Sequence, residues 1–434
     1  MKNYTKLMCL FLFVIGSTFA QQEKGIVGVN NWLNNWTEFN PSSNDYGEPN
    51  QILAGNIDKN MTLSKKNVYM LMGSVFVVND ATLTIEPGTV IIGDYVSKGS
   101  LTISSGSKIL AIGEETDPII FTSNRGVKRA GDWGGVFILG DAPSNKFGNG
   151  SVASFYPKLD PENYINTNYG GSNNNSSSGV MKFVRIEYAG KRIKGAGNFN
   201  GLLLACVGNQ TILENIMVSH SAGNSFEVLG GEVNLEKLVS YKSNGVDFKF
   251  NYGAQSQLYN SLAVRSPYVS SSNGSRTLQI ISYEKKEDVD FSKKGTSLVA
   301  QNLTLINDSE DLEGDIISGL VSEAVYVGEN TFLDLNKTVI SGFNPAIILD
   351  NKISLNQENL EKIKLTKMYF NNCKGNIFVK YNTNNEDLEN WYGNGSFFNV
   401  YSYSDDAETF INVRKTKRPD FRLQINKILA SNDD

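Results

Sequence analysis

The chain of 434 residues contains one histidine, His220, and the residue types that could do chemistry gather around it. His220, Lys242 and Arg265 each fill the eighth place of a nine-residue phrase. Stacked copies of that phrase would set the three side by side, about 4.8 Å apart, on one outer face. Asp247 and Lys249 follow on the coil that carries Lys242. Such a row of positive charge would attract an extended anionic chain, and a lysine or arginine near a carboxylate is what proton abstraction from an acidic sugar requires. A solvated charged face is the plain alternative for the same residues. Trp133, between Asp132 and Gly134, would either stack on a sugar ring or pack beneath a corner of the chain.

Other chemistries find less support. One histidine excludes a multi-histidine zinc site and confines any Ser-His-Asp arrangement to His220, which no Gly-x-Ser-x-Gly elbow accompanies. No glycine loop followed by Lys-Ser/Thr is present to cradle phosphate. Residues 307–315, Asn-Asp-Ser-Glu-Asp-Leu-Glu-Gly-Asp, form an acidic turn that could hold calcium, but it lacks EF-hand spacing and reads more readily as a solvated loop. No other metal or cofactor is expected. Glycosidase-type carboxylate pairs stay open, because only a distance would identify one among 45 acidic residues.

The elements that must position these residues show themselves as a repeat. Leu213-Glu-Asn-Ile-Met-Val-Ser-His-Ser221 is followed by Leu235-Glu-Lys-Leu-Val-Ser-Tyr-Lys-Ser243 and Leu258-Tyr-Asn-Ser-Leu-Ala-Val-Arg-Ser266, with starts 22 and 23 residues apart. Ser221, Gly223 and Phe226 return as Ser243, Gly245 and Phe248. Thr82-Leu-Thr-Ile-Glu-Pro-Gly88 and Ser100-Leu-Thr-Ile-Ser-Ser-Gly106 pair at an offset of 18, and residues 181–189 fit the nine-residue phrase again. Units this short cannot bury an apolar side alone, so they must stack. A period of two along each strand sends Leu, Ile, Val and Phe to a lumen and polar residues outward. Leu213 and Ile216 are three apart, so both face inward only if the phrase bends between them. Gly88, Gly106, Gly223 and Gly245 are placed at corners, where φ > 0 is cheap for glycine. An array of β-sandwiches would also give short strands, but near-constant coil length favours an all-β fold with a single parallel β-helix. Leu213, Ile216, Leu235, Leu238 and Leu258 should then fill the lumen.

Composition suits such a fold: 40% hydrophobic residues make a core, and 40 Gly against 10 Pro suit tight corners. The formal charge of −5 and the lack of a basic face argue against nucleic acid as a partner. Lys2 and Lys6, an apolar run to Gly16 and Ser17-Thr-Phe-Ala20 read as a signal peptide over residues 1–20, leaving Gln21 first. No later stretch is long and apolar enough to span a membrane. Cys206 and Cys373 are many coils apart and are expected to be buried, unpaired thiols. Residues 21–60, with Trp32 and Trp36, are expected to form an N-terminal cap or entry segment, a cap being what the open end of the lumen requires. The β-helix is assigned to 61–430, with a polar loop leaving it at about 142–179 and looser coils from about 300, where residues 355–365 suggest one short helix.

Leu83-Thr-Ile-Glu-Pro-Gly-Thr-Val90, Pro118-Ile-Ile-Phe-Thr-Ser123, Gly131-Asp-Trp-Gly-Gly-Val-Phe-Ile-Leu-Gly140 and Val184-Arg-Ile-Glu-Tyr-Ala-Gly190, with Asn200-Gly-Leu-Leu-Leu204, carry a resemblance to secreted right-handed parallel β-helix proteins common in Bacteroidota. It covers roughly residues 55–270. The resemblance implies export to the cell surface or beyond, with an outer-membrane or secretion-system partner, and brings no assigned reaction. Many such proteins end in a sorting domain for type IX secretion, which residues 423–434 do not resemble, so the periplasm stays open as a location. The functional expectation is an exported structural, adhesive or glycan-binding protein, with His220, Lys242, Asp247, Lys249, Arg265 and Trp133 as candidate ligand contacts and a polysaccharide or other surface component as partner. The alternative is a polysaccharide lyase or hydrolase working in a groove along the rod, although the Asn-Thr-Asp and Gly-His-Gly segments of pectin hydrolases are missing.

Overall fold

A computed structural model describes residues 24–156, 159–271, 275–382, 385–415 and 417–424. The signal peptide and its cleavage site lie outside the described residues, as do 425–434. Twenty-nine short strands join in one continuous hydrogen-bonded array. Successive coils pair in parallel: Glu232–Glu236, Val239–Tyr241 and Phe248–Asn251 lie beneath Gln255–Tyr259, Leu262–Arg265 and Leu278–Ile280. Each full coil thus contributes to three sheets, here the first, second and third, and the chain forms the parallel β-helix that the repeat requires.

The nine-residue phrase is two strands joined by a corner. Asn215, Lys237, Asn260 and Asn302 hold φ near +50° to +60° between the first and second sheets. That bend lets Leu213 and Ile216 both face inward, and they join Leu235, Leu238 and Leu258 in the apolar lumen. Gly88 and Gly106 take positive φ at their corners, as expected. Gly223 and Gly245 do not, and are required for a different reason. A Cβ on Gly223 would lie 2.0 Å from the Phe199 carbonyl oxygen, and one on Gly245 would lie 2.6 Å from the backbone of Gly223. These corners need close backbone approach rather than a left-handed residue.

The outer face of the second sheet is covered, and that of the third is covered over its upstream half. The N-terminal segment runs as a strap along the outside of the second sheet, from late coils back to the first, and ends in the strand Gln51–Ile57, whose Leu53 and Ile57 join the lumen cluster. Gly25 N–H donates to Lys337 O (2.8 Å), the Asn260 amide clamps both N–H and C=O of Val27, Tyr46 reaches Glu187 (3.1 Å) and Asn50 N–H donates to Val68 O (3.0 Å). Trp36, Leu33, Phe39 and Ile26 bury against Met217, Val239, Leu262 and Ile306, whose side chains point out of the second sheet. Phe410, Phe421 and Leu423 of a C-terminal hairpin join the same cluster. Apolar outward positions of the second sheet are thus explained by a partner within the chain.

Residues 142–156 and 159–178 leave the rod but fold back on it. Val152, Tyr156 and Tyr169 pack on Phe76, Phe137 and Leu203 on the outside of the third sheet. The helix Glu386–Tyr392 brings Leu388 and Tyr392 to the far end of the lumen, and a further short helix spans Gln357–Glu361, capped by the Asn356 side chain. Cys206 and Cys373 are buried and unpaired. Among the described residues no helix is long and apolar enough to cross a membrane.

Candidate functional site

The three residues of the expected cationic row keep their register but not their common face. His220 and Lys242 sit at corners with φ of 54° and 50°. Arg265, in the equivalent place one coil on, lacks positive φ, ends its strand with ordinary geometry and turns its side chain into the body of the rod. It is 3% exposed. Its guanidinium binds Asp247 (3.1 Å) and the carbonyls of Gly245 (2.8 Å) and Ser243 (3.0 Å), while Asp247 also accepts from Ser240 Oγ (2.5 Å). Burial pushes the Asp247 carboxyl up and Arg265 draws it back. A buried pair whose guanidinium also takes up the carbonyls of the next corner holds that corner together. The expected exposed row is therefore corrected to a half-buried pair, His220 and Lys242, beside a buried structural pair.

Trp133 is likewise internal. It is fully buried in the lumen cluster, stacks on Phe121 (6.4 Å) and donates from its indole to Glu187 O (2.7 Å). A Cβ on Gly93 would lie 2.5 Å from its ring, so the corner is built around it. No face of Trp133 is free for a sugar, and of the two readings the packing one holds.

Lys249 leads to a feature that the sequence reading missed. It lies in a column of outward side chains on the third sheet: Glu227, Lys249, Gln279, Tyr326, Ile348 and Phe378 are successive register partners. Upstream the same column is Phe76, Thr102, Phe137 and Leu203, all sealed under the excursion that follows residue 142. Downstream of Lys249 it is the floor of an open groove. Arg276 and Glu323, 2.5 Å apart, form one wall, and Tyr283, Glu284, Glu329, Asp350 and Lys352 the other. Arg276 lies 4.8 Å from the centre of the Tyr326 ring, and Lys380 5.6 Å from it. The Tyr326 hydroxyl donates to Asp350 and the Tyr283 hydroxyl to Glu329. A hollow of about 270 Å³ here shares Gly328, Glu329 and Lys352 with a larger one of about 500 Å³, which rounds the corner to Thr296, Asn330 and Phe332.

The signal for this groove was present but scattered. Phe248-Lys-Phe, Leu278-Gln-Ile, Val325-Tyr-Val and Ile347-Ile-Leu share one in-out-in pattern, but they are separated by 30, 47 and 22 residues because loops of different length leave each coil. Period alone does not align them.

A model of the pectate-lyase-like β-helix domain matches residues 55–406. The chain belongs to that family. No curated protein matches it. The match takes in the lumen, both covered faces and the groove up to Lys380, and it fits a role connected with polysaccharides.

Within this pectate-lyase-like domain the groove is made for contact more than for proton transfer. Burial alone would push Lys249 down, but Glu227 (3.1 Å) and Glu284 (2.5 Å) flank its ammonium and hold it above the ordinary lysine value. It is charged at neutral pH and cannot act as a base. Burial and Asp350 raise the Tyr326 phenol, which stays neutral. Arg276 and Lys352 are paired with Glu323 and Glu329. Carboxylates of the acidic turn have partners within the protein. Asp311 caps the helix Leu312–Ile317, Asp308 pairs with Lys242 (2.8 Å) and Asp315 accepts from Ser309 and Tyr268. Among the described residues no three His, Cys, Asp or Glu side chains gather as metal ligands.

Proposed function

We propose that this protein binds a polysaccharide strand lengthwise along the open half of the third sheet, between Lys249 and Phe378, and does so without cleaving it. The observation that carries the reading is the change in one column of the sheet, from sealed aromatic and aliphatic residues to a floor in which Lys249, Gln279, Ile348 and Phe378 are half-exposed around the buried Tyr326. Rings and apolar side chains suit the faces of sugar rings, and the surrounding amide, carboxylate and ammonium groups suit hydroxyls. Charges of both signs line the walls, Arg276, Lys249 and Lys352 among them paired with carboxylates, so the ligand we assign is a neutral glycan, in place of the acidic one that a cationic row would have selected. The leader-like residues 1–20 support export to the cell surface or beyond as part of the same proposal.

The test is retention of neutral and uronate polysaccharides by purified protein, with new reducing or unsaturated ends followed in parallel. The expected result is retention of a neutral glycan without product, weakened by Gln279→Ala combined with Tyr283→Ala. Because the charges are already paired, raising the salt should change affinity by no more than about twofold. Release of unsaturated ends, or retention confined to uronates and lost in salt, would overturn the reading in favour of a lyase or an anion-binding face.

A further inference from the structure

We propose that a second ligand site, for a single uncharged sugar ring, lies at the seam where the N-terminal strap crosses the His220 and Lys242 corners. It does not rest on the third-sheet groove, since it opens on the second sheet and shares no residue with that groove. An open cavity of about 330 Å³ is lined there by Phe39, Asn40, Pro41 and Ser42 of the strap and by Tyr188, His220, Tyr241 and Lys242 of three successive corners. Ligand pockets of small molecules begin at about this size.

The walls are aromatic. His220 stacks on Tyr188, with ring centres 5.2 Å apart, and meets Tyr241 edge-on at 5.7 Å, while Phe39 meets the other side of this group edge-on against Tyr241 at 5.0 Å. The polar groups are few and convergent. The imidazole Nδ1 is buried without a hydrogen-bond partner. A lone buried acceptor is less costly than a lone buried N–H, which places the ring proton on Nε2. Burial, aided by Lys242, pushes His220 down to about 4, so the ring is a neutral donor throughout the physiological range. Ser42, on the strap side, is exposed; its hydroxyl donates to Asn40 Oδ1 (2.9 Å) and keeps its oxygen as an acceptor.

Charge selects the class of ligand. A cation would stand beside the Lys242 ammonium and be repelled. An anion would find that ammonium already bound to Asp308 at 2.8 Å. What remains favourable is a neutral ring with an apolar face for the tyrosines and hydroxyl oxygens for His220 and Lys242. The strap is what makes the site, since without Phe39 to Ser42 the corners present a flat, open surface.

The single histidine provides the measurement. In the full protein, titration with a series of methyl hexopyranosides should move the His220 ring resonances saturably in an NMR spectrum, while a hexuronate and choline should bind no tighter. Ser42 is exposed, so Ser42→Trp would plug the cavity from outside the core, and it should weaken the response by on the order of tenfold or more. The groove variant Gln279→Ala with Tyr283→Ala should leave this response unchanged even where it abolishes polysaccharide retention, which separates the two proposals. The inference is overturned if no hexoside gives a saturable shift, if hexuronate or choline binds more tightly, or if the plug leaves the shift intact. Should the plugged variant not fold, the wild-type titration decides alone.

Discussion

Along the outside of the third sheet, Phe76, Phe137 and Leu203 are sealed by the excursion that follows residue 142, whereas Gln279, Ile348 and Phe378, further along the same column, stand half-exposed, with none of the described residues sealing them. The backbone beneath is equivalent in both halves, with parallel strands in continuous register. What differs is the insertion. A solenoid fixes its lumen through the repeat, because each coil must bury the same inward residues against its neighbours. Its outer faces are fixed by whichever loop returns to cover them. An apolar outward residue such as Phe137 signals a returning loop, and a mixed floor with paired charges in the walls signals a surface left open for something else.

The comparison can be broken or sharpened by experiment. The largest effect should come from Phe137→Ala in the sealed half, which would empty space next to Tyr156 and Phe199 and lower unfolding free energy by about 3–5 kcal/mol in a denaturant titration. A loss no larger than that of a surface substitution would show that the excursion does not seal the sheet.

A covered face should also respond to acid. Glu187, beneath the strap, is pushed up to about 6 by burial, although Arg185 and Tyr46 favour its charged form. An acid whose folded value is raised binds its proton in the folded chain before the unfolded one, so its contribution to stability grows as pH falls from about 6 to about 4.5 and is absent well above that window. Measured against Glu187→Gln, the wild type should therefore gain about 2 kcal/mol between about pH 7 and about pH 4. No difference in the two pH profiles would mean that the strap leaves this carboxyl wet.

Smaller effects are expected in the open half. Tyr326→Phe removes the hydroxyl that Asp350 accepts from and should lower stability by about 1 kcal/mol, with a comparable loss of glycan affinity. Gln279→Ala should change stability by less than about 0.5 kcal/mol while still reducing retention of the glycan. A destabilisation as large as that at Phe137 would place Gln279 in a packed region and remove the contrast between the halves.

Much of the rod was legible in the residues themselves. The spacing of Leu213, Leu235 and Leu258 implied stacked coils, and the three-residue step from Leu213 to Ile216 required the corner that Asn215 makes. The site was harder to read. Equivalence of His220, Lys242 and Arg265 in the repeat held as register, but a side chain's direction depends on its backbone conformation, and only the first two take positive φ. The tryptophans illustrate the same limit. A Trp beside glycines signals close packing or an open ring, and the difference for Trp133 is a lumen that the local sequence does not show.

The sequence by itself determined the β-helix and its lumen, because period-two apolar residues at near-constant intervals have one economical way to leave water. Only the tertiary structure decided which outer faces remain. The strap over the second sheet joins residues far apart in the chain, such as Gly25 with Lys337 and Tyr46 with Glu187, and the groove joins Lys249 to Phe378 across loops of unequal length. Such contacts follow from the path of the whole chain over its own surface, and no local pattern encodes that path.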